Sequence, residues 1–140
     1  MSANALDEAG IAALSAAAVD ARKRAWAPYS RFQVGAALLC DDGTIVTGCN
    51  VENASYGLTV CAERHAVGQM QLQGGRPRAV AIVVDSEIPT PPCGMCRQCM
   101  IEFASDLEII LVNPAGVVRM ERLARLLPGA FLPTDLLGQP

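Results

Sequence analysis

The sequence predicts an α/β domain: a three-layer α-β-α arrangement in which a mixed five-stranded sheet carries helices on both faces. Three observations support this. An alanine-rich stretch opens the chain, with Ile11, Leu14, Ala18 and Ala21 on one stripe at helical spacing. Two short apolar runs then flank Asp41–Asp42–Gly43, as the arms of a hairpin do. Two further runs, Ala79–Val84 and Leu107–Val112, are almost continuously apolar and alternate with helical segments, which suits strands covered on both faces.

The first helix is expected over Ala5–Ala25. Asp7 and Glu8 suit its start, and Arg22, Lys23 and Arg24 complement the dipole at its end. Pro28 stops it, and Tyr29–Ser30–Arg31 is a connector. Phe32–Cys40 reads as a strand, and Ile45–Cys49 as the return strand beyond the turn. Gly35 and Ala36 carry so little side chain that a helix or a partner can approach closely. A polar loop, Asn50–Thr59, leads to a second helix over Cys61–Gln73, ended by Gly74–Gly75 and Pro77. After the strand Ala79–Val84 and a Pro-rich loop, a third helix runs from Cys93 to about Ala104. Leu107–Val112 is the next strand, Val117–Met120 a last one, Glu121–Leu127 a short helix and Pro128–Pro140 an extended tail. The order αββαβαβ followed by βα makes one domain over residues 1–140.

Composition limits the partners. Of the 140 residues, 51% are hydrophobic and 18% charged, which supports a buried core and argues against disorder. The net charge is −3 and the isoelectric point about 5.0, with no basic run, so no nucleic-acid partner is expected. No apolar stretch reaches the length needed to span a membrane. The first residues lack a basic region followed by an apolar run, so the six cysteines read as thiols and a cytoplasmic location is expected.

Those thiols fall in a pattern. Cys61–Ala62–Glu63–Arg64 and Pro92–Cys93–Gly94–Met95–Cys96–Arg97–Gln98 both lie where a loop enters a helix. Backbone N–H groups and the helix dipole favour thiolates there. Cys93 and Cys96, one helical turn apart, can face the same way, and Cys61 can join them from the second helix. Zn²⁺ held by three protein ligands keeps a position open for water, and Glu63 beside it is an acid/base group that a purely structural zinc site does not need. Three thiolates on Zn²⁺ leave a net negative charge, which Arg64 and Arg97 are placed to offset by hydrogen bonds to sulfur. Cys99 would complete a four-cysteine knuckle on paper. However, Cys93, Cys96 and Cys99 rise about 9 Å along one helix, so Cys99 reads as a core residue. His65, the single histidine, reads as structural for the same positional reason, one turn into its helix.

Taken together, the blocks resemble the small, homotetrameric zinc-dependent cytidine deaminases of the cytidine/deoxycytidylate deaminase superfamily. The resemblance rests on Phe32–Leu38, Gly48–Gly57, Cys61–Ala62–Glu63 and, 32 positions after Cys61, the Cys93-x-x-Cys96 motif. It implies that Cys61, Cys93 and Cys96 bind one Zn²⁺ per chain and that Glu63 shuttles protons. It further implies that Asn50 and Glu52 hold the ribose 3′-hydroxyl, that Phe32 stacks near the pyrimidine, and that the Ala62 backbone and the Pro91 carbonyl contact the base. Ala54, Tyr56 and Phe131 would reach the sites of neighbouring subunits. Arg64, Arg97 and Gln98 would support the centre. By themselves, Asn50 and Glu52 read better as turn residues, and Phe32 reads equally as core. Pro91, His65 and Cys99 depart from the family's commoner residues.

The expected activity is hydrolytic deamination of cytidine and 2′-deoxycytidine, a step of pyrimidine salvage. The alternatives are deamination of a modified cytosine nucleoside such as blasticidin S, or a zinc-stabilised scaffold without turnover. The resemblance implies a homotetramer with shared active sites; composition supports only association of some kind, since a small domain with mean hydropathy +0.29 has more apolar surface than one core hides. Gly35, Ala36, Ala37, Tyr56 and Phe131 look suited to such contacts.

Overall fold

The structure, a computed structural model, describes residues 6–138; the expected helix start at Ala5 and the last two residues of the tail lie outside them. Helix α1 spans Glu8–Arg22, and its N-cap Asp7 accepts from the Gly10 N–H at 2.7 Å. It ends before the expected Ala25 because the chain is drawn sideways. The Trp26 N–H donates to the Asn50 carbonyl at 2.9 Å, and the Glu52 N–H donates to the Trp26 carbonyl at 2.8 Å.

Strands β1 (Val34–Cys40) and β2 (Ile45–Cys49) form the expected hairpin, with Gly43 at φ 89° in its turn. A 3-10 turn, Tyr56–Leu58, interrupts the polar loop before α2 (Ala62–Gln73), which Gly74 closes at φ 74°. Then follow β3 (Pro77–Val84), α3 (Gly94–Ile101), β4 (Glu108–Val112), β5 (Val118–Arg122), α4 (Leu123–Leu126) and α5 (Pro133–Leu137).

Three expectations shift. Helix α3 stops at Ile101, because Asp106 draws the following chain elsewhere, accepting from the Leu107 and Ala124 N–H groups at 2.9 Å each. Glu121 and Arg122 are strand rather than helix, since they pair with Ile109 and Glu108 of β4. The tail is not extended throughout: Asp135 accepts from the Leu132 N–H at 2.7 Å and nucleates α5 behind Pro133.

The sheet order is β2-β1-β3-β4-β5, with only β3 and β4 parallel. Both β2 and β3 run antiparallel to β1, so their carboxyl ends lie together. That is where α2 and α3 begin. One face of the sheet buries Ala37, Ala81, Val83 and Ile110 against Leu14 and Ala18 of α1. The other buries Leu38, Val80, Ile82 and Ile109 against Ala66 and Met70 of α2 and Met100 of α3. The three expected layers follow.

Two glycines set the spacing of those layers. A Cβ on Gly35 would lie 2.0 Å from the Ala18 carbonyl oxygen and 2.6 Å from the Arg22 nitrogen. One on Gly48 would lie 2.4 Å from the Ala62 carbonyl oxygen. The close approach expected at Gly35 is therefore made by α1 of the same chain. Ala36 and Ala37, at 0% exposure, are covered by the chain's own helices and offer nothing to a partner. Gly35→Ala should lower stability by about 3 kcal/mol, the upper end of ordinary overpacking, because both clashing atoms are helix backbone. The check is the urea midpoint at unchanged m-value, with Gly48→Ala behaving likewise.

Candidate metal centre and substrate pocket

Cys61 is the N-cap of α2 and Cys93 the N-cap of α3, each in extended backbone just outside its helix. Cys96 lies one turn into α3 and is fully buried. The three sulfurs lie within 4.8 Å of one another, and Cys93 and Cys96 Sγ are 3.5 Å apart. Tetrahedral zinc with bonds of 2.3 Å requires sulfur separations of about 3.8 Å, so the donor set fits this ion. Soft thiolates are also the ligands zinc selects.

The electrostatics favour such a centre. The Cys96 thiol, hydrogen-bonded to the Cys61 sulfur, brings Cys61 down to about 5, with Arg64 assisting, while Cys96 is pushed up. Arg64 donates from Nη2 to the Thr59 carbonyl at 2.9 Å, and its buried Nε has no hydrogen-bond partner among the described residues. A cation held beside the thiols in this way suits an anionic cluster.

Glu63 occupies the first turn of α2 and is 5% exposed. Burial pushes its carboxyl up from the usual carboxylate value, against the lowering by its own N–H and by Cys96. A carboxyl poised upward is suited to exchanging protons near neutral pH. It lines a cavity of about 270 Å³ together with Phe32, Asn50, Ala62, Pro91 and Cys93. Five of the predicted site residues, Phe32, Asn50, Ala62, Glu63 and Pro91, therefore share one cavity with the Cys61 and Cys93 thiols.

The matching family model is that of the cytidine and deoxycytidylate deaminase zinc-binding region, over residues 10–112. The chain belongs to this family. A cytidine deaminase of Halalkalibacterium halodurans is 50% identical over 121 residues, covering 85% of this chain and 92% of the relative. One from Mycobacterium tuberculosis is 49% identical over 120 residues, covering 85% and 87%. A crystal structure of cytidine deaminase from Burkholderia pseudomallei superposes with a TM-score of 0.82 at 51% identity, covering 86% of this chain and 98% of that one.

In this member of the deaminase family, several predicted residues have structural roles beside or instead of lining the pocket. Asn50, 8% exposed, donates from Nδ2 to the Phe32 carbonyl at 2.7 Å and accepts on Oδ1 from the Val34 N–H at 2.8 Å. It therefore clamps the strand start as well as lining the cavity. Glu52 lines an adjoining cavity of about 360 Å³ with Tyr29, Ser30, Tyr56 and Thr59. Thr59, absent from the sequence-based candidates, lines both cavities. The only hint of it in the sequence is its place two residues before Cys61.

Tyr56 is 75% exposed and Phe131 59% exposed, and neither lines the cavity that holds Glu63, nor does the exposed Ala54. Arg97 is spent elsewhere than on sulfur: Nε donates to the Pro92 carbonyl at 2.8 Å and Nη1 to the Leu126 carbonyl at 2.6 Å. It braces the loop before α3 against α4. Gln98 donates to the Phe131 carbonyl at 2.8 Å and so ties down the tail. The His65 ring Nδ1 pairs with the Cys49 carbonyl at 2.8 Å, a structural role. Cys99 packs against the core outside the three-sulfur group.

Metal analysis provides the check. Cys99→Ala should retain one zinc per chain, whereas Cys61→Ala and Cys96→Ala should each lose it, because two thiolates leave the tetrahedral set short of protein ligands.

Proposed function

We infer that this chain is a zinc-dependent cytidine deaminase, hydrolysing cytidine and 2′-deoxycytidine to uridine and 2′-deoxyuridine with release of ammonia. The observation that carries this is the buried Glu63 carboxyl, set in one cavity with the Cys61 and Cys93 thiols and the exposed edge of Phe32. When bound by Cys61, Cys93 and Cys96, zinc supplies a Lewis acid that brings the pKa of water towards neutrality. Glu63, buried beside those thiols, would take a proton from the attacking water and pass it to N3 of the pyrimidine as the remaining hydroxide adds to C4. It would then carry the proton of the new C4 hydroxyl to the amine as the C4–N bond breaks, the acid/base role general for zinc deaminases. Phe32 stacks on the ring, while the Ala62 backbone and Pro91 carbonyl read its polar edge. Asn50 and Glu52 receive the sugar. Arg64 offsets the negative charge of the thiolates.

The family spans nucleosides and nucleotides, and the charges favour the nucleoside. Among the described residues lining the two cavities, the charged side chains are Glu52 and Glu63, with no Lys or Arg. A 5′-phosphate would meet anions and no paired cation.

Glu63→Gln should keep its zinc and its melting temperature but lose turnover by ~10²–10⁴-fold or more, since an amide cannot take the proton. An ultraviolet assay with cytidine, with and without a strong chelator, is the direct measurement. Near-normal turnover in the variant would sink the mechanism.

The reading extends to a cytoplasmic homotetramer with shared active sites. No helix among the described residues is long and apolar enough to cross a membrane. Exposed Tyr56, Leu58 and Phe131 support contacts that one chain does not satisfy. Phe131 closing over a neighbour's ring would exclude water there. Mixed refolding of inactive Glu63→Gln with a pocket-blocking Phe131→Trp should then restore part of the activity. Confirmed mixed assemblies without recovery would show that each chain works alone.

A further inference from the structure

We propose that Ser30 is a positioning residue for the deamination, its hydroxyl holding the sugar-binding carboxylate of Glu52 and the backbone of Phe32 as one rigid unit. The proposal rests on the assignment of Glu52 to the sugar and Phe32 to the ring. The Ser30 hydroxyl donates to Glu52 Oε2 and accepts from the Phe32 N–H at 3.0 Å. Its proton and one of its lone pairs are thereby both committed, so the hydroxyl has no free rotor. Glu52 Oε1 accepts in addition from the Tyr29 and Ser30 N–H groups, at 2.9 and 3.1 Å. The Ser30 hydroxyl, ahead of every other contribution, holds Glu52 below the ordinary carboxylate value.

The backbone between Ser30 and Phe32 is strained. Arg31 has φ 58°, the one non-glycine residue in the left-handed region among those described. Such a conformation costs free energy and persists where surrounding bonds over-determine it. Here the Arg31 N–H donates to the Ala27 carbonyl at 3.0 Å, and the Ser30–Phe32 bond spans the kink. That kink turns the chain from the Glu52 cavity, lined by Ser30, to the Glu63 cavity, lined by Phe32. The sugar and base ends of the substrate are thus held at a fixed separation before it binds. A carboxylate offers about four acceptor positions, and three of those on Glu52 are already filled. One remains, enough for a single sugar hydroxyl.

The test measures kcat and KM for cytidine and 3′-deoxycytidine in the zinc-loaded wild type, Ser30→Ala and Ser30→Thr. Wild type should prefer cytidine by about tenfold or more, the worth of a hydrogen bond to a charged group. Ser30→Ala should raise KM for cytidine by about tenfold and lose most of that preference, with KM rather than kcat carrying the loss. Ser30→Thr, which keeps the hydroxyl, should retain the preference. If Ser30→Ala weakens both substrates by the same factor, or keeps the full preference, Ser30 is not a positioning residue, while the assignment of Glu52 stands. If wild type shows no preference, the assignment of Glu52 falls and the proposal with it. Should Ser30→Ala not fold, Ser30→Cys, similar in size but a poor donor, takes its place with the same expected loss.

Discussion

Three thiol sulfurs within 4.8 Å of one another repel as they ionise, and the surrounding fold is arranged to hold that charge. Two of them cap helices whose unpaired N–H groups and positive dipole ends point at the cluster. Arg64 sits beside Cys61, and Cys96 shares its proton with it. Each device alone is modest. Together they make a preformed anionic nest for a divalent cation, so metal binding need not first assemble its ligands.

The rest of the architecture serves that meeting of helix starts. Because β2 and β3 both run antiparallel to β1, the chain leaves them at the same end of the sheet. Gly48 lets α2 lie directly on the hairpin, and Gly35 does the same for α1 on the opposite face. Val34, Ile82 and Val84 then line the Glu63 cavity from the sheet, with Asn50 clamping the start of β1. Stability and site are coupled here: a shift of α2 on the sheet would move Cys61 and Glu63 together.

Several polar residues do double duty, and this blurs any division between scaffold and site. Asn50 satisfies two backbone groups while facing the cavity, and Glu52 ties down the 29–30 backbone while keeping one acceptor position open. Arg97 and Gln98 act at a distance, bracing the Pro92 loop and the tail. Asn113, buried, receives the Val117 N–H and donates to the Ser86 and Glu87 carbonyls, steadying the loop that leads to Pro91. Such buried polar groups are tolerated because their hydrogen bonds are made within the fold.

Periodicity, turn residues and cysteine spacing are local properties, and what depends on them was legible in the sequence by itself: the two central strands, the hairpin, helices α2 and α3, the three-cysteine group able to hold a metal and the neighbouring Glu63. Element ends were less legible, because they are decided by long-range bonds, such as Asp106 reaching Ala124 or Trp26 reaching Asn50 and Glu52. Only the tertiary structure decided that Arg64, bonded to the Thr59 carbonyl, stays close enough to lower the Cys61 thiol, while Arg97 turns away to the Pro92 and Leu126 carbonyls. It alone decided that Ala36 and Ala37 face the chain's own helices, and that Ser30 joins Glu52 across 22 positions. Spacing along the chain says what a residue can do. Which partner it meets is settled by packing, where a buried donor or acceptor must find its bond or cost the fold free energy.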